Sequence, residues 1–259
     1  MRHVVSIGLL AMCFSLPGRD LIHGAEPAPA AEHPTDRPAP RTYGEWRIQI
    51  RPDQLDEYAA LIETKGLPLF RAAGGRMVGW WKTFVGDLYE HVTIWEYDSL
   101  AAFEQAAGKL GADKRFAEFA ALRDPLLVRE QNRLLHLADF GTRPALPEQS
   151  KIVIHEVHRV TDSQRDAYLL FMQNKGLPML KSHGFRPVGP WVTGIGNRSE
   201  VTYLYLYNSL AERDKLLAAF ANSGDTRAYE MKLSELIDEA TTRVLVPADF
   251  AHKATDGKP

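Results

Sequence analysis

The chain repeats itself at a fixed offset, and this duplication constrains the fold more than any other feature. The letters KGLP begin at Lys65 and again at Lys175, which is 110 residues later. When residues 43–140 are laid over residues 153–250 without a gap, 25 of the 98 positions are identical. A repeat of this length is too long for a solenoid unit, so we expect each copy to be a small domain with its own core.

Each copy begins with a predicted strand and helix. Alternating apolar residues predict a first strand over residues 46–51 and, in copy two, over residues 152–160. Apolar residues at helical spacing predict a helix over residues 53–64.

KGLP follows this helix and is interpreted as a joint between two helical segments. Gly66 and Gly176 suit the left-handed position that ends a helix, and Pro68 and Pro178 suit the first turn of the next one. A phosphate-binding loop is disfavoured, because it needs more glycines and a helix N-terminus.

The rest of each copy predicts a hairpin, more helix and a last strand. Gly86-Asp87 and Gly196-Asn197 each predict a two-residue type II′ turn. A helical region then starts at Asp98 or Ser99 and extends to about residue 128, and the last strand covers residues 133–140. The order β-α-β-β-α-β defines a ferredoxin-like unit and an α+β fold. Each four-stranded sheet would have one bare apolar face, so we predict that the two units cover each other in an intrachain pseudo-dimeric α/β barrel.

Both copies also carry a family resemblance. The segment MVGWWKTFVGDLYEHVTIWEYDSLAAF, from Met77 to Phe103, resembles the signature of the NIPSNAP family, and copy two contains the diverged version PVGPWVTGIGNRSEVTYLYLYNSLAER. The resemblance implies tandem NIPSNAP-like domains of the dimeric α/β-barrel superfamily, which also contains cofactor-independent monooxygenases, haem-degrading enzymes and haem peroxidases. It implies no settled activity for NIPSNAP proteins themselves. Where many members carry a histidine, this chain has Thr93 and, in copy two, Tyr203.

The N-terminal residues are typical of an export signal. A short positive start is followed by an apolar run from Val4 to Leu16, which is too short to span a membrane because spanning takes ~20 residues. An uncleaved anchor is the alternative. We predict a signal peptide over 1–25, a Pro/Ala-rich linker over 26–42, repeat one over 43–141, a linker over 142–150, repeat two over 151–250 and a disordered tail over 251–259. The mature chain is expected to be periplasmic or extracellular.

Composition argues against several classes of partner and chemistry. The formal net charge is −2, so no overall basic field favours nucleic acid or, beyond the export signal, a membrane. The single cysteine, Cys13, lies in the predicted signal peptide, which leaves the mature chain without disulfides or thiolate chemistry. The sequence contains no nucleotide fingerprint or zinc spacing, and no cofactor is expected.

The predicted hairpin register sorts its side chains into two faces, because directly opposed residues share a face. One face holds a tryptophan, a threonine and a glutamate in each copy: Trp81, Thr83, Glu90, Trp191, Thr193 and Glu200. A carboxylate among aromatic rings is a candidate acid or base, so Glu90 and Glu200 are candidate catalytic residues. The alternative is that both carboxylates reach solvent while the tryptophans pack.

The opposite face is rich in aromatic side chains. Together with Trp81 and Trp191, the candidate ligand-binding residues are Trp80, Lys82, Trp95, Tyr97, Tyr203, Tyr205 and Tyr207. Ligand pockets combine aromatic walls with a few polar anchors, but packing in a core would explain the same pattern. His91 is a further candidate acid or base, because Lys82 opposite it would lower its pKa.

The stretch Ile154-His155-Glu156-Val157-His158 looks like a metal motif. His155 and His158 fall on opposite faces of a strand, whereas Glu156 and His158 share a face. Two ligands make a poor metal site, so no metal is predicted. Glu156 and His158 are instead candidate catalytic residues or a hydrogen-bonded pair.

Three functions are consistent with these observations. The leading hypothesis is an exported NIPSNAP-like protein that binds a small apolar or aromatic ligand in a pocket of the barrel. The second is an enzyme similar to cofactor-independent monooxygenases, with Glu90, His91, Glu156 or His158 as acid or base. The third is a non-catalytic protein-interaction module. Further homo-oligomerisation stays open in all three.

Overall fold

The computed structural model describes residues 40–144 and 150–253. The predicted signal peptide, most of the Pro/Ala-rich linker, residues 145–149 of the second linker and residues 254–259 of the tail lie outside the described residues. Within the described ranges, no helix is long and apolar enough to cross a membrane.

Repeat one contains four strands and four α-helices. The strands are β1 (Thr42–Ile50), β2 (Arg76–Val85), β3 (Glu90–Tyr97) and β4 (Leu127–Thr142). The helices are α1 (Leu55–Leu61), α2 (Leu67–Ala73), α3 (Leu100–Ala112) and α4 (Lys114–Arg123). Short 3-10 turns at Pro52–Gln54 and Asp124–Leu126 flank them, and a π-helical turn, Ile62–Gly66, joins α1 to α2.

Repeat two has the same order of elements. Its strands are β5 (Ile152–Arg159), β6 (Pro187–Ile195), β7 (Glu200–Tyr207) and β8 (Glu239–Pro247). Its helices are α5 (Arg165–Phe171), α6 (Leu177–Ser182), α7 (Leu210–Ala221) and α8 (Asp225–Leu236), with the π-helical turn Met172–Gly176 between α5 and α6. A short helix α9 (Asp249–Lys253) follows β8.

The eight strands form one closed antiparallel barrel in the order β1-β3-β2-β8-β5-β7-β6-β4. Strands of one repeat are neighbours within it, and the two junctions, β2 with β8 and β4 with β6, join the repeats. The predicted α+β fold with an intrachain pseudo-dimeric barrel is therefore confirmed.

Three apolar clusters follow from this closure. The barrel interior holds side chains from both repeats: Tyr43, Val78, Trp81, Val92, Ile94, Leu135, Val153, Val188, Trp191, Leu204 and Leu245. A second cluster lies between the outer face of the repeat-one sheet and its helices, and a third occupies the same place in repeat two. The barrel thus hides the inner faces, and the helices cover the outer ones.

The predicted hairpin register is confirmed, but the two-residue turn is wrong. Trp81 pairs with Val92, and Trp191 pairs with Thr202. The loop itself contains the four residues 86–89, because Gly86 and Tyr89 both adopt positive φ angles, 128° and 63°, and the turn closes with the N–H of Glu90 donating to Asp87 O.

The interpretation of KGLP as a joint between helices is confirmed, while the predicted left-handed glycines are wrong. Gly66 and Gly176 are right-handed, with φ of −66° and −60°, because the helix continues through a π turn. Both glycines leave room for neighbouring side chains: a Cβ at Gly66 would lie 3.1 Å from Phe119, and one at Gly176 would lie 2.7 Å from Met172 Sδ. The left-handed position belongs to Gly74, with φ of 112°.

Several predicted boundaries also shift. β1 begins at Thr42 rather than at residue 46, and β4 begins at Leu127 rather than at residue 133. The helical region predicted to reach residue 128 is two helices that end at Arg123. Polar residues within these extensions, such as Glu45 in β1 and Arg129 in β4, interrupt the apolar alternation and hide the extra residues.

Candidate functional site

A cavity of about 490 Å³ lies between the outer face of the repeat-one sheet and its helices. Eight of its 20 lining residues are aromatic: Trp46, Tyr58, Phe70, Trp80, Trp95, Tyr97, Phe103 and Phe116. The strand residues alternate along β1 and β3, and Phe103, Ala107 and Leu110 follow helical spacing on α3. The sequence periodicities therefore bring one face of each element to the same space.

Thr93 is the small residue in the sheet wall of this cavity. Its hydroxyl donates to Gly79 O at 3.0 Å, so its hydrogen-bonding capacity as a donor is used by the backbone. In repeat two the equivalent residue is Tyr203, which is fully buried and stacks against Tyr205 with ring centroids 6.1 Å apart. A large ring thus stands in repeat two where repeat one has a threonine.

Two positions on the third helix of each repeat, α3 and α7, differ in the same direction. Leu217 and Phe220 stand in repeat two at the positions of Ala107 and Leu110, and both pack into the repeat-two core. Repeat two carries the larger side chain at these positions, whereas Phe70, Trp80 and Phe116 match the smaller Leu180, Pro190 and Thr226.

One end of the cavity is polar and consists of Tyr58, Arg123 and Glu130. Arg123 donates to Glu130 Oε2 at 3.2 Å and to Asp124 at 2.9 Å. Among the described residues, neither the buried Tyr58 hydroxyl nor Glu130 Oε1 has a hydrogen-bond partner. Two residues of the cavity wall therefore each carry a buried polar atom with unused hydrogen-bonding capacity.

The pKa shifts at this end follow from burial. Burial raises the pKa of the Tyr58 phenol far above its usual range, although nearby Arg123 acts in the opposite direction. Burial also raises the pKa of the Glu130 carboxyl, again opposed by Arg123. Burial therefore shifts both groups towards their uncharged forms relative to water, while Arg123, which donates to Glu130, favours the Glu130 carboxylate.

His91 lies behind the cavity wall rather than in it. Trp80 Nε1 donates to His91 Nδ1 at 3.1 Å, and the ring edge of Tyr58 packs on the imidazole at 5.4 Å. Burial, and secondarily Lys82, lowers the pKa of His91 to about 4. His91 is therefore neutral at neutral pH and fixes the orientation of Trp80.

The predicted residues on the other hairpin face lie inside the barrel. Trp81 and Trp191 are fully buried in the barrel interior. Glu200 is bonded to Arg133, and Glu90 Oε1 lies 3.1 Å from Arg243 Nε. Neither glutamate lines the cavity.

A buried charge cluster in the barrel was not predicted from the sequence. Arg133 donates to both carboxylate oxygens of Glu45, at 3.1 and 2.9 Å, and to Thr202 at 2.9 Å. His155 Nε2 lies 3.2 Å from Glu45 Oε2, although the two residues come from strands on opposite sides of the barrel. Burial alone would raise the pKa of Glu45, but Arg133 and His155 hold it far below its usual range.

Glu156 and His158 form a hydrogen-bonded chain in repeat two. His158 contacts Glu156 at 2.5 Å and the Tyr168 hydroxyl at 2.6 Å, and Tyr168 donates to Tyr203 at 2.9 Å. Tyr203, Tyr205 and Tyr207 belong to the repeat-two core. In the described part of the chain, no group of three His, Cys, Asp or Glu residues is placed to hold a metal ion.

Comparison with known proteins decides the family. The NIPSNAP family model matches residues 43–142 and 157–252. The chain belongs to the NIPSNAP family. Protein NipSnap homolog 2 of Danio rerio is 24% identical over 204 residues, which are 76% of this chain and 70% of the relative.

Two solved structures share the fold of this NIPSNAP protein. A candidate monooxygenase from Fusobacterium nucleatum subsp. nucleatum aligns with a TM-score of 0.61 at 9% identity, over 81% of this chain and 93% of that one. A candidate monooxygenase from Lactobacillus acidophilus aligns with a TM-score of 0.56 at 12% identity, over 80% and 93%. At these identities the likeness shows the fold alone.

Of the predicted ligand-binding residues of this NIPSNAP chain, Trp80, Trp95 and Tyr97 line the cavity. Lys82 is half-exposed and pairs with Asp249 at 2.9 Å. No sequence pattern pointed to Arg123 or Glu130 as site residues. One signal was available for the barrel cluster: Arg133 and Arg243 are identical at matching positions of the two repeats.

Proposed function

We propose that this NIPSNAP protein binds a small, mainly aromatic ligand in the repeat-one cavity. The observation that carries the proposal is the aromatic cavity of about 490 Å³, whose wall includes Tyr58 and Glu130, each with a polar atom that has no hydrogen-bond partner among the described residues. Sites for small molecules occupy roughly 300–1,000 Å³ and combine apolar walls with a few polar groups. A ligand body would gain edge-to-face contacts with the surrounding rings.

The difference between the repeats supports a function for the cavity. An apolar cavity destabilises a protein, because the side chains around it lose packing contacts. Repeat two shows that the same fold accepts larger residues, such as Tyr203 and Phe220, at matching positions. The smaller residues at these positions of repeat one leave room for a ligand.

A substitution copied from repeat two tests the proposal. Thr93→Tyr should fill the cavity, whereas Thr93→Ser keeps the hydroxyl that donates to Gly79. We expect aromatic compounds from a ligand library to raise the melting temperature of the wild type and of Thr93→Ser, and to quench their tryptophan fluorescence, but not those of Thr93→Tyr. The proposal fails if no aromatic compound shifts the wild type, or if Thr93→Tyr binds equally well.

A second candidate function is that of a monooxygenase, because two structures that share the fold are described as candidate monooxygenases. The favouring observation is the Glu130 carboxyl in the cavity wall, since a base there could take a proton from a bound molecule. His91, Glu90, Glu156, His158 and Glu200 lie away from the cavity wall. Oxygen consumption with ligands found by binding, in wild type against Glu130→Gln, would test this function.

We also propose that the chain is exported, on the basis of the positive start and apolar run at its N-terminus. Mass spectrometry of the protein recovered from its producing cells should find a mature N-terminus close to residue 26. A full-length chain that begins at Met1 would contradict export by cleavage.

A further inference from the structure

The polar end of the cavity differs between the repeats in a way that identifies the chemistry of the ligand. In repeat two the Tyr168 hydroxyl is fully partnered, by His158 at 2.6 Å and Tyr203 at 2.9 Å. Tyr58 is the equivalent residue in repeat one, but Ile48 and Thr93 replace the two partners. The fully buried Tyr58 hydroxyl is therefore left without a hydrogen bond among the described residues.

The two charged residues at the polar end of the cavity occur in repeat one but not at the matching positions of repeat two. Leu233 and Ala240 stand in repeat two at the positions of Arg123 and Glu130. Arg123 holds Glu130 Oε2 at 3.2 Å, which fixes the carboxylate while its buried Oε1 stays unpartnered. Two residues of the same cavity wall thus carry a hydroxyl and a carboxylate oxygen that have no hydrogen-bond partner among the described residues.

These two atoms have complementary requirements. The phenol of Tyr58 can donate a hydrogen bond, and Glu130 Oε1 as part of a carboxylate can only accept one. A ligand hydroxyl satisfies both, because it accepts from Tyr58 and donates to Glu130. An ether, a hydrocarbon or a carboxylate would leave at least one of them unsatisfied, which is costly in a buried site.

We propose that the ligand is an aromatic compound with a hydroxyl group, a phenol or an enol, whose oxygen binds between Tyr58 and Glu130. Glu130 is then the residue placed to receive the hydroxyl proton. The ligand O–H bond would break, an O–H bond would form on Glu130 Oε1, and the electron pair would remain on the ligand oxygen near Arg123. This inference rests on the proposed ligand-binding function of the cavity.

Two matched probes separate recognition of the hydroxyl from binding of the ring. 2-Naphthol and its methyl ether, 2-methoxynaphthalene, share the aromatic body, but the ether cannot donate a hydrogen bond. Hydrogen bonds to charged acceptors are among the stronger ones, so we expect the wild type to bind 2-naphthol about ten-fold or more tightly than the ether by calorimetry. Glu130→Gln and Tyr58→Phe should each bring this ratio towards one while binding of the ether persists.

A matched control and a spectroscopic readout complete the test. Glu156→Gln makes the same chemical change in repeat two, outside the cavity, and should leave the ratio unchanged. 2-Naphthol is a photoacid, so its emission reports a neighbouring base: the anionic emission of the bound probe should be strong in the wild type and weak in Glu130→Gln. Equal binding of naphthol and ether by the wild type would overturn the hydroxyl proposal alone. Failure of both probes and of every other aromatic compound would overturn the proposed function as well.

Discussion

The charge cluster in the barrel gives the sharpest prediction about stability, through the substitution Arg133→Met. The Arg133 side chain is 5% exposed and binds Glu45 of its own repeat together with Glu200 and Thr202 of the other repeat. At an effective dielectric constant of about 20, one pair of charges 4 Å apart is worth about 4 kcal/mol. Because Glu45 is 1% exposed, the substitution leaves a buried carboxylate whose remaining partners are His155 at 3.2 Å and the more distant Arg47 at 3.8 Å.

Breaking a buried ion pair from one side costs about 3–5 kcal/mol. Domains are stable by roughly 5–15 kcal/mol in total, so urea unfolding at pH 7 should show a large fall in the midpoint of Arg133→Met with an unchanged slope. Removing the stranded charge as well, in Arg133→Met/Glu45→Gln, should recover about 0.5–3 kcal/mol of coupling energy.

Arg115→Met is the matched control, because Arg115 pairs with Asp113 on an exposed helix. It should leave the unfolding midpoint unchanged within error, since exposed pairs contribute little. A loss of less than about 1 kcal/mol in Arg133→Met would refute the view that this cluster links the two repeats.

Two further predictions concern His91 and the glycines. Burial lowers the pKa of His91 from 6.5 to about 4, so between pH 4 and pH 6.5 this residue binds more protons in the unfolded chain than in the folded one. The free energy of unfolding should therefore fall as the pH drops from 6.5 to 4, by up to about 3 kcal/mol. Urea titrations at each pH should show a smaller fall in His91→Gln. Parallel curves of unfolding free energy against pH for the two proteins would contradict this prediction. Gly74→Ala should destabilise the chain by about 1 kcal/mol because its φ is 112°, whereas Gly108→Ala, inside α3 with nothing within 4 Å, should stabilise it by about 1 kcal/mol in thermal melts. Equal effects of the two alanines would refute that reasoning.

The fold could be predicted because two signals in the sequence agree. The offset of 110 residues defined two equal units, and the alternation around Gly86 defined which hairpin residues share a face. The pairing of Trp81 with Val92 shows that the face assignment was correct even though the turn is longer.

Local signals failed where tertiary packing decides the outcome. A glycine before Leu-Pro looks like the end of a helix, but Gly66 is required by the close approach of Phe119 from α4. The same limit applies to Glu45 and His155, which lie 110 residues apart in sequence and meet only when the barrel closes. No local pattern encodes such a contact.

The candidate site was predictable only in part. The aromatic face with Trp80, Trp95 and Tyr97 was found from the hairpin register. Which repeat keeps a cavity depends on how Thr93 or Tyr203 packs against the helices, and this is set by contacts between distant elements. Arg123 and Glu130 come from α4 and β4, whose approach to Tyr58 is visible only in three dimensions.

The central claim is that repeat one holds a cavity around Thr93, at the position where repeat two carries Tyr203. Xenon enters dry apolar cavities, so a crystal structure of the protein under xenon pressure tests the claim directly. We predict xenon density between Thr93, Trp95 and Leu110, and none beside Tyr203 and Phe220. Xenon in both repeats, or no density within the repeat-one wall, would contradict the account.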